Sequence, residues 1–133
     1  MPTPHLYIVT TIEYFDWTSP DGKTSITFRV TDMLNAISTG TLRAQRVTTR
    51  IDTEFVELWL VKRELSDRLI ARMTPERRNE PVLGAWMPDG SVLLIDGSHR
   101  YMARYLEGLD EIDYNLIAYD DWQGYATIMG EPL

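Results

Sequence analysis

Between Val92 and Leu109 the chain reads VLLIDGSHRYMARYLEGL. An apolar strand-like run enters Asp96-Gly97-Ser98-His99-Arg100, and helical spacing of Met102, Ala103 and Leu106 begins at once and stops at Gly108. A strand that turns directly into a helix must bury one face of each element against the other, so this corner predicts a domain with sheet and helix in one core.

The chemistry of the corner is as constraining as its shape. The first amides of a helix have no intrahelical acceptor and lie at the positive end of its dipole, which attracts anions. Gly97 lets a guest approach the backbone, Ser98 offers a hydroxyl, Arg100 a planar fork suited to phosphate oxygens, and His99 a further donor. Together these make a phosphate cradle, without the spacing of the P-loop. The plainer alternative is an ordinary turn with a serine N-cap and two first-turn surface residues.

Elsewhere the pattern alternates between the two periods. Residues 5 to 30 predict an antiparallel hairpin: Leu6, Ile8, Ile12 and Tyr14 share one face, Ile26, Phe28 and Val30 share another, and Pro20 and Gly22 shape the turn between them. Thr31 is positioned to cap a short helix that stops at Gly40, followed by the polar extended piece LRAQRVTTRI. Residues 53 to 73 predict the longest helix, capped by Asp52, with Trp59 in the core. Pro75 and Pro81 end it. VLGAWM and SVLLID form a hairpin across PDG, EIDYNLIAY is a closing strand, and DDWQGYATIM fits a short helix or a strand-like tail. The fold class expected is α+β, in a single domain over residues 1 to 133 with a box-bearing core at 79 to 119.

A chain of 133 residues suits one core. Without cysteine it has no disulfide, thiolate metal site or thiol nucleophile, and a reducing cytoplasm is the expected compartment. MPTPHLYIVTTIEYF lacks the basic start of a secretory signal and is too interrupted for a membrane span. The net charge of −7 is uneven: residues 41 to 78 carry 9 basic and 6 acidic groups, whereas residues 79 to 133 carry 2 and 10. That field opposes duplex DNA, so DNA binding is disfavoured.

The segment NEPVLGAWMPDGSVLLIDGSHRYMARYLEGLDEIDYNLIAY, residues 79 to 119, resembles the ParB/sulfiredoxin-like superfamily. Pro81-Val82-Leu83 stands where that family has its Pro-Ile-Val strand, Asp96 to Arg100 where it has its nucleotide-phosphate box, and Ala103 and Gly108-Leu109 where it has a small helix residue and a helix stop. The resemblance implies a compact fold, a small mixed sheet flanked by helices, that holds the phosphates of ATP, CTP or a related nucleotide, with Mg²⁺ as the accompanying ion. Activities in the family range from sulfinic acid reduction to CTP-dependent clamping and phosphorylation of free serine, so fold does not settle reaction. Sulfiredoxins carry cysteine at the position of Ser98, which excludes their chemistry here, and 133 residues leave no room for the extra domains of partition proteins.

In the expected site Gly97, Ser98, His99 and Arg100 contact phosphate. Asp96 handles metal or proton, or else bonds the amides of the turn, and Asp96 with His99 would carry any hydrolase or phosphotransferase step. Arg46, in the early strand, and Arg78, just before Pro81, are the further phosphate-binding candidates, chosen from a set that includes Arg43, Arg50 and Arg77. Glu80 borders the same cleft or the strand edge. Tyr101, Tyr105, Tyr114, Tyr119 and Trp122 stack a nucleobase or, as is commoner, fill the core. A two-histidine metal site from His5 and His99 lacks supporting spacing. The competing reading is a non-catalytic regulator of phage or plasmid type, whose acidic surface meets a basic protein partner. Residues 107 to 131 hold 7 acidic side chains and no lysine or arginine.

Overall fold

A computed structural model describes residues 12 to 133. The first strand, β1 (Tyr14–Thr18), and β2 (Thr24–Arg29) form the predicted hairpin, paired Phe15 to Phe28 and Trp17 to Ile26. Cross-strand partners share a face, so Phe15 and Trp17 join Ile26 and Phe28 toward the core. This corrects the expected face: Ile12 and Tyr14 are exposed, while Leu6 and Ile8 lie outside the described residues. Both alternations of YFDWT carry aromatics, and only the register decides between them.

Helix α1 (Val30–Ser38) starts directly from β2 and ends where Gly40 takes φ +80°. Thr31 is inside its first turn rather than at its cap, and its Oγ1 accepts the Glu13 amide at 2.7 Å, tying the approach to β1 onto the helix. The polar stretch becomes β3 (Gln45–Arg50), and Asp52 caps α2 (Thr53–Leu58) by accepting the Phe55 amide at 3.1 Å.

The helix expected over 53 to 73 is broken. After α2 the chain tightens into a 3₁₀ turn (Leu60–Arg63), Glu64 adopts a left-handed conformation at φ 55°, and Ser66 caps a new helix, α3 (Asp67–Ala71), through the Leu69 amide. The physical cause is Ser66-Asp67, a helix-start signal inside an apolar pattern that otherwise continues. The break leaves Trp59 exposed against Lys62 instead of buried, while Val56 and Leu60 take the core positions. The longest helices among the described residues are therefore α1 and α5, at nine residues each.

Helix α4 (Pro75–Arg78) leads into β4 (Val82–Trp86), which pairs with β5 (Val92–Asp96) across a turn where Gly90 has φ +85°. Helix α5 (Ser98–Leu106) follows β5 with one residue between them, and Gly108, at φ +75°, turns the chain toward β6 (Glu111–Ile117). β6 inserts between β3 and β4, parallel to β4, so the expected closing strand is interior. The C-terminal stretch is both things predicted of it. Tyr119 to Trp122 form α6, and after a 3₁₀ turn β7 (Ala126–Gly130) pairs with β2.

The result is a mixed α+β architecture with two sheets rather than one: an antiparallel β1-β2-β7 and a mixed β3-β6-β4-β5. Ile26 and Phe28 of the first sheet meet Leu83, Ala85, Ile95 and Ile117 of the second around Trp122, whose indole N–H donates to the Trp86 carbonyl at 2.9 Å. The opposite face of the mixed sheet buries Val82, Leu94, Ile112, Tyr114 and Leu116 against Tyr101 and Met102 of α5 and Val56 and Leu60. Four consecutive residues of β4 are buried, as a strand covered on both faces requires. Among the described residues no helix is long and apolar enough to cross a membrane.

Candidate phosphate site at the start of helix α5

The mixed sheet delivers β5 to the start of α5 at Gly97, whose φ of +100° closes the strand-to-helix turn. A Cβ there would lie 2.6 Å from Val82 Cγ1, so both the backbone angle and the packing require glycine. The amides of Ser98, His99 and Arg100 have no acceptor, side chain or backbone, among the described residues. The first bonded amide is that of Tyr101, which donates to the Gly97 carbonyl at 2.9 Å. The plain capped turn is therefore not what forms. Asp96 does not bond the turn amides, and Ser98 occupies the first helical position rather than the cap.

These amides border a cavity of about 940 Å³ between α5, the 3₁₀ turn with α3, β1 and α1. Asp96, Gly97, Ser98, His99 and Arg100 all line it, so the predicted box is brought together in one place. Its members differ in what they have left to offer a guest.

Arg100 is the most committed. Its side chain is buried, its Nη1 donates to the Pro81 carbonyl at 2.6 Å, and its Nη2 pairs with Asp96 Oδ2 at 3.2 Å. Burial lowers its proton affinity and the Asp96 charge opposes that effect. The guanidinium expected to clamp phosphate thus fastens the start of β4 to the corner. It lends the site charge but not a free fork.

His99 is similarly engaged. Its Nε2 accepts the Ser66 amide at 3.0 Å, so an accepting Nε2 leaves only Nδ1 to carry a proton toward a guest. Both groups predicted to move protons, Asp96 and His99, are held by the protein's own atoms.

A second arginine changes the site. Arg63, from the 3₁₀ turn, extends Nη1 to the Leu94 carbonyl at 2.8 Å and to Ser98 Oγ at 3.0 Å. Its guanidinium lies over the rings of Phe15 and Phe55, with centroids 4.8 Å and 5.6 Å away. Burial lowers its proton affinity, and among the described residues no carboxylate pairs with it. Because Arg63 donates to Ser98 Oγ, the serine hydroxyl proton is left to point elsewhere. Sequence reasoning missed Arg63 because nothing in a continuous helix over 53 to 73 sets it apart from the other basic residues of that segment. The signal that finds it is the Ser66 cap three residues on.

Arg46 and Arg78 do not line the cavity. Arg46, exposed on β3, donates to Asn115 of β6, and Arg78 sits beside Glu107 at the far end of α5, at 3.7 Å. Arg77 lines the cavity instead, paired with Glu80, which also lies 3.9 Å from Arg100. The aromatics proposed for base stacking are elsewhere: Tyr101, Tyr114 and Trp122 fill the cores, Tyr119 packs on Trp122, and Tyr105 approaches Glu57. Of the acidic tract, Asp113 accepts the Thr48 hydroxyl and Glu107 faces Arg78.

Among the described residues no three His, Asp or Glu side chains converge as metal ligands, and a cation on Asp96 would compete with Arg100 for the carboxylate. His5 is outside the described residues. Among the described residues no side-chain set would hold Mg²⁺ without ligands from a guest.

No protein family, curated protein or solved structure matches the chain.

Proposed function

We propose that this protein binds the phosphate groups of a nucleoside triphosphate, of the ATP or CTP kind, at the start of α5. Phosphate oxygens accept from the Ser98, His99 and Arg100 amides, Gly97 gives them access to the backbone, and Ser98 adds its hydroxyl. Arg63 supplies the guanidinium from one side and Arg77 from the outer edge. The resemblance of residues 79 to 119 to nucleotide-binding domains points to the same end of the helix.

The observation that carries this reading is Arg63, a half-buried guanidinium that among the described residues has no carboxylate partner, held against Ser98 beside three amides for which the described residues supply no acceptor. A charge in that position is costly unless an anion joins it. The reading is of binding rather than turnover, because Asp96 and His99 are both engaged within the protein. Hydrolysis or phosphotransfer through them would require Asp96 to release Arg100.

Calorimetric titration with tripolyphosphate, ATP, CTP and GTP, with and without Mg²⁺, tests the reading. Saturable binding of tripolyphosphate that Arg63→Met weakens by at least about tenfold supports it, since a hydrogen bond to a charged group contributes roughly 1.5–3 kcal/mol. Absence of binding by all four, or equal binding by the variant, overturns it.

A further inference from the structure

The phosphate end accounts for only part of the cavity. A volume of about 940 Å³ is in the range of a site for a whole cofactor-sized molecule, far larger than a phosphate chain needs. The remainder is lined differently: Leu34 and Asn35 come from α1, Leu69 and Met73 from α3 and the turn after it. Leu34 and Leu69 are 40% and 58% exposed, two large apolar side chains left open at the same cavity. No residue of α3 is fully buried: Ile70 packs against the core while Leu69 faces the cavity, so this short helix forms the wall. Beside Leu34 the exposed amide of Asn35 offers one donor group and one acceptor on a single planar head.

From this juxtaposition we infer that the α1 and α3 side of the cavity is a nucleobase subsite, in which Leu34 and Leu69 cover the faces of the heterocycle and Asn35 reads its edge. The inference rests on the phosphate-binding reading and extends it. A base is flat and apolar on its faces and carries adjacent donors and acceptors around its rim, which is the combination these three residues answer. The α1 and α3 residues and the α5 corner line one and the same cavity, together with Arg63 and Leu65. Specificity among nucleotides then resides in α1, which residues 79 to 119 do not include. Asn35 is the specificity residue, and Leu34 and Leu69 supply affinity common to all bases.

The experiment compares tripolyphosphate with ATP, CTP and GTP on the wild-type chain, Leu69→Ser, Leu34→Ser and Asn35→Leu, by calorimetry on the full chain. All three positions are exposed, so their substitution leaves the fold intact, and circular dichroism checks this. The expected result is that the best nucleotide binds at least about tenfold tighter than tripolyphosphate, the scale of a modest apolar contact. Leu34→Ser and Leu69→Ser reduce that advantage while tripolyphosphate affinity stays constant, and Asn35→Leu changes the ranking of the three nucleotides. If tripolyphosphate binds but nucleotides bind no better, or the three variants leave advantage and ranking untouched, the subsite is overturned and phosphate binding stands. If neither tripolyphosphate nor any of the three nucleotides binds, the underlying reading fails.

Discussion

Arg63 Nη1 lies 3.0 Å from Ser98 Oγ, joining a 3₁₀ turn to the first residue of a helix 35 positions later in the chain. This bond sets the direction of the serine hydroxyl and puts a guanidinium beside amides that have no acceptor among the described residues. Lysine cannot reproduce a planar fork that also rests on two aromatic rings. Arg63→Lys is therefore expected to lose most of the tripolyphosphate affinity lost by Arg63→Met, measured by the same titration. Full rescue by lysine would reduce Arg63 to a point charge.

Arg100 is expected to matter for stability first. Replacing it with methionine strands Asp96 and the Pro81 carbonyl, and breaking a buried pair costs about 3–5 kcal/mol. Urea denaturation should show the midpoint falling without a change in slope. A variant as stable as the wild type would mean that the guanidinium is not the clasp described here. Because of this cost, loss of binding in an Arg100 variant does not by itself locate the ligand.

Gly97→Ala places a methyl group at φ +100° and against Val82, 2.6 Å from its Cγ1. The left-handed angle alone costs about 1–2 kcal/mol, and the contact adds to it. Thermal denaturation should register the loss, and Val82→Ala in the same chain should recover part of it by opening space. No recovery would attribute the whole effect to the backbone angle.

His99 holds the loop before α3 by accepting the Ser66 amide. His99→Leu leaves that amide unsatisfied, at a cost of about 1 kcal/mol or somewhat more. Hydrogen exchange at Ser66 should accelerate, while exchange in β4 and β6 stays slow. Unchanged protection at Ser66 would contradict the bond.

Two buried tyrosines give the fold an alkaline limit. Burial raises the proton affinity of both Tyr101 and Tyr114, with Tyr114 raised the further. For groups whose folded values lie above the unfolded one, stability is full below about pH 10 and is lost as the pH rises toward the folded values. Tyr114→Phe removes that group's share of the slope, read as melting temperature against pH from neutral to strongly alkaline solution. An alkaline slope as steep as the wild type's would place the transition on other groups.

How far the sequence disclosed this molecule depended on how local each determinant was. The segment from β4 to β6 was legible because glycines with positive φ at 90, 97 and 108 punctuate it where the periodicity changes. The break at 59 to 66 was not, because the apolar spacing continues through it and Glu64 and Ser66 act against that pattern. The inward face of β1 was settled by its pairing with β2, which no property of YFDWT reveals. At the site, the open amides followed from the helix start alone. The direction of Arg100 depended on the Pro81 carbonyl, 19 residues away, and the presence of Arg63 on a turn the periodicity concealed.

The most direct test observes the corner itself. In an amide NMR titration with tripolyphosphate, the account predicts saturable shifts concentrated at Ser98, His99 and Arg100 and at the Arg63 side chain, lost in Arg63→Met. Shifts confined to other residues, or none as the ligand is raised to millimolar concentration, would contradict it.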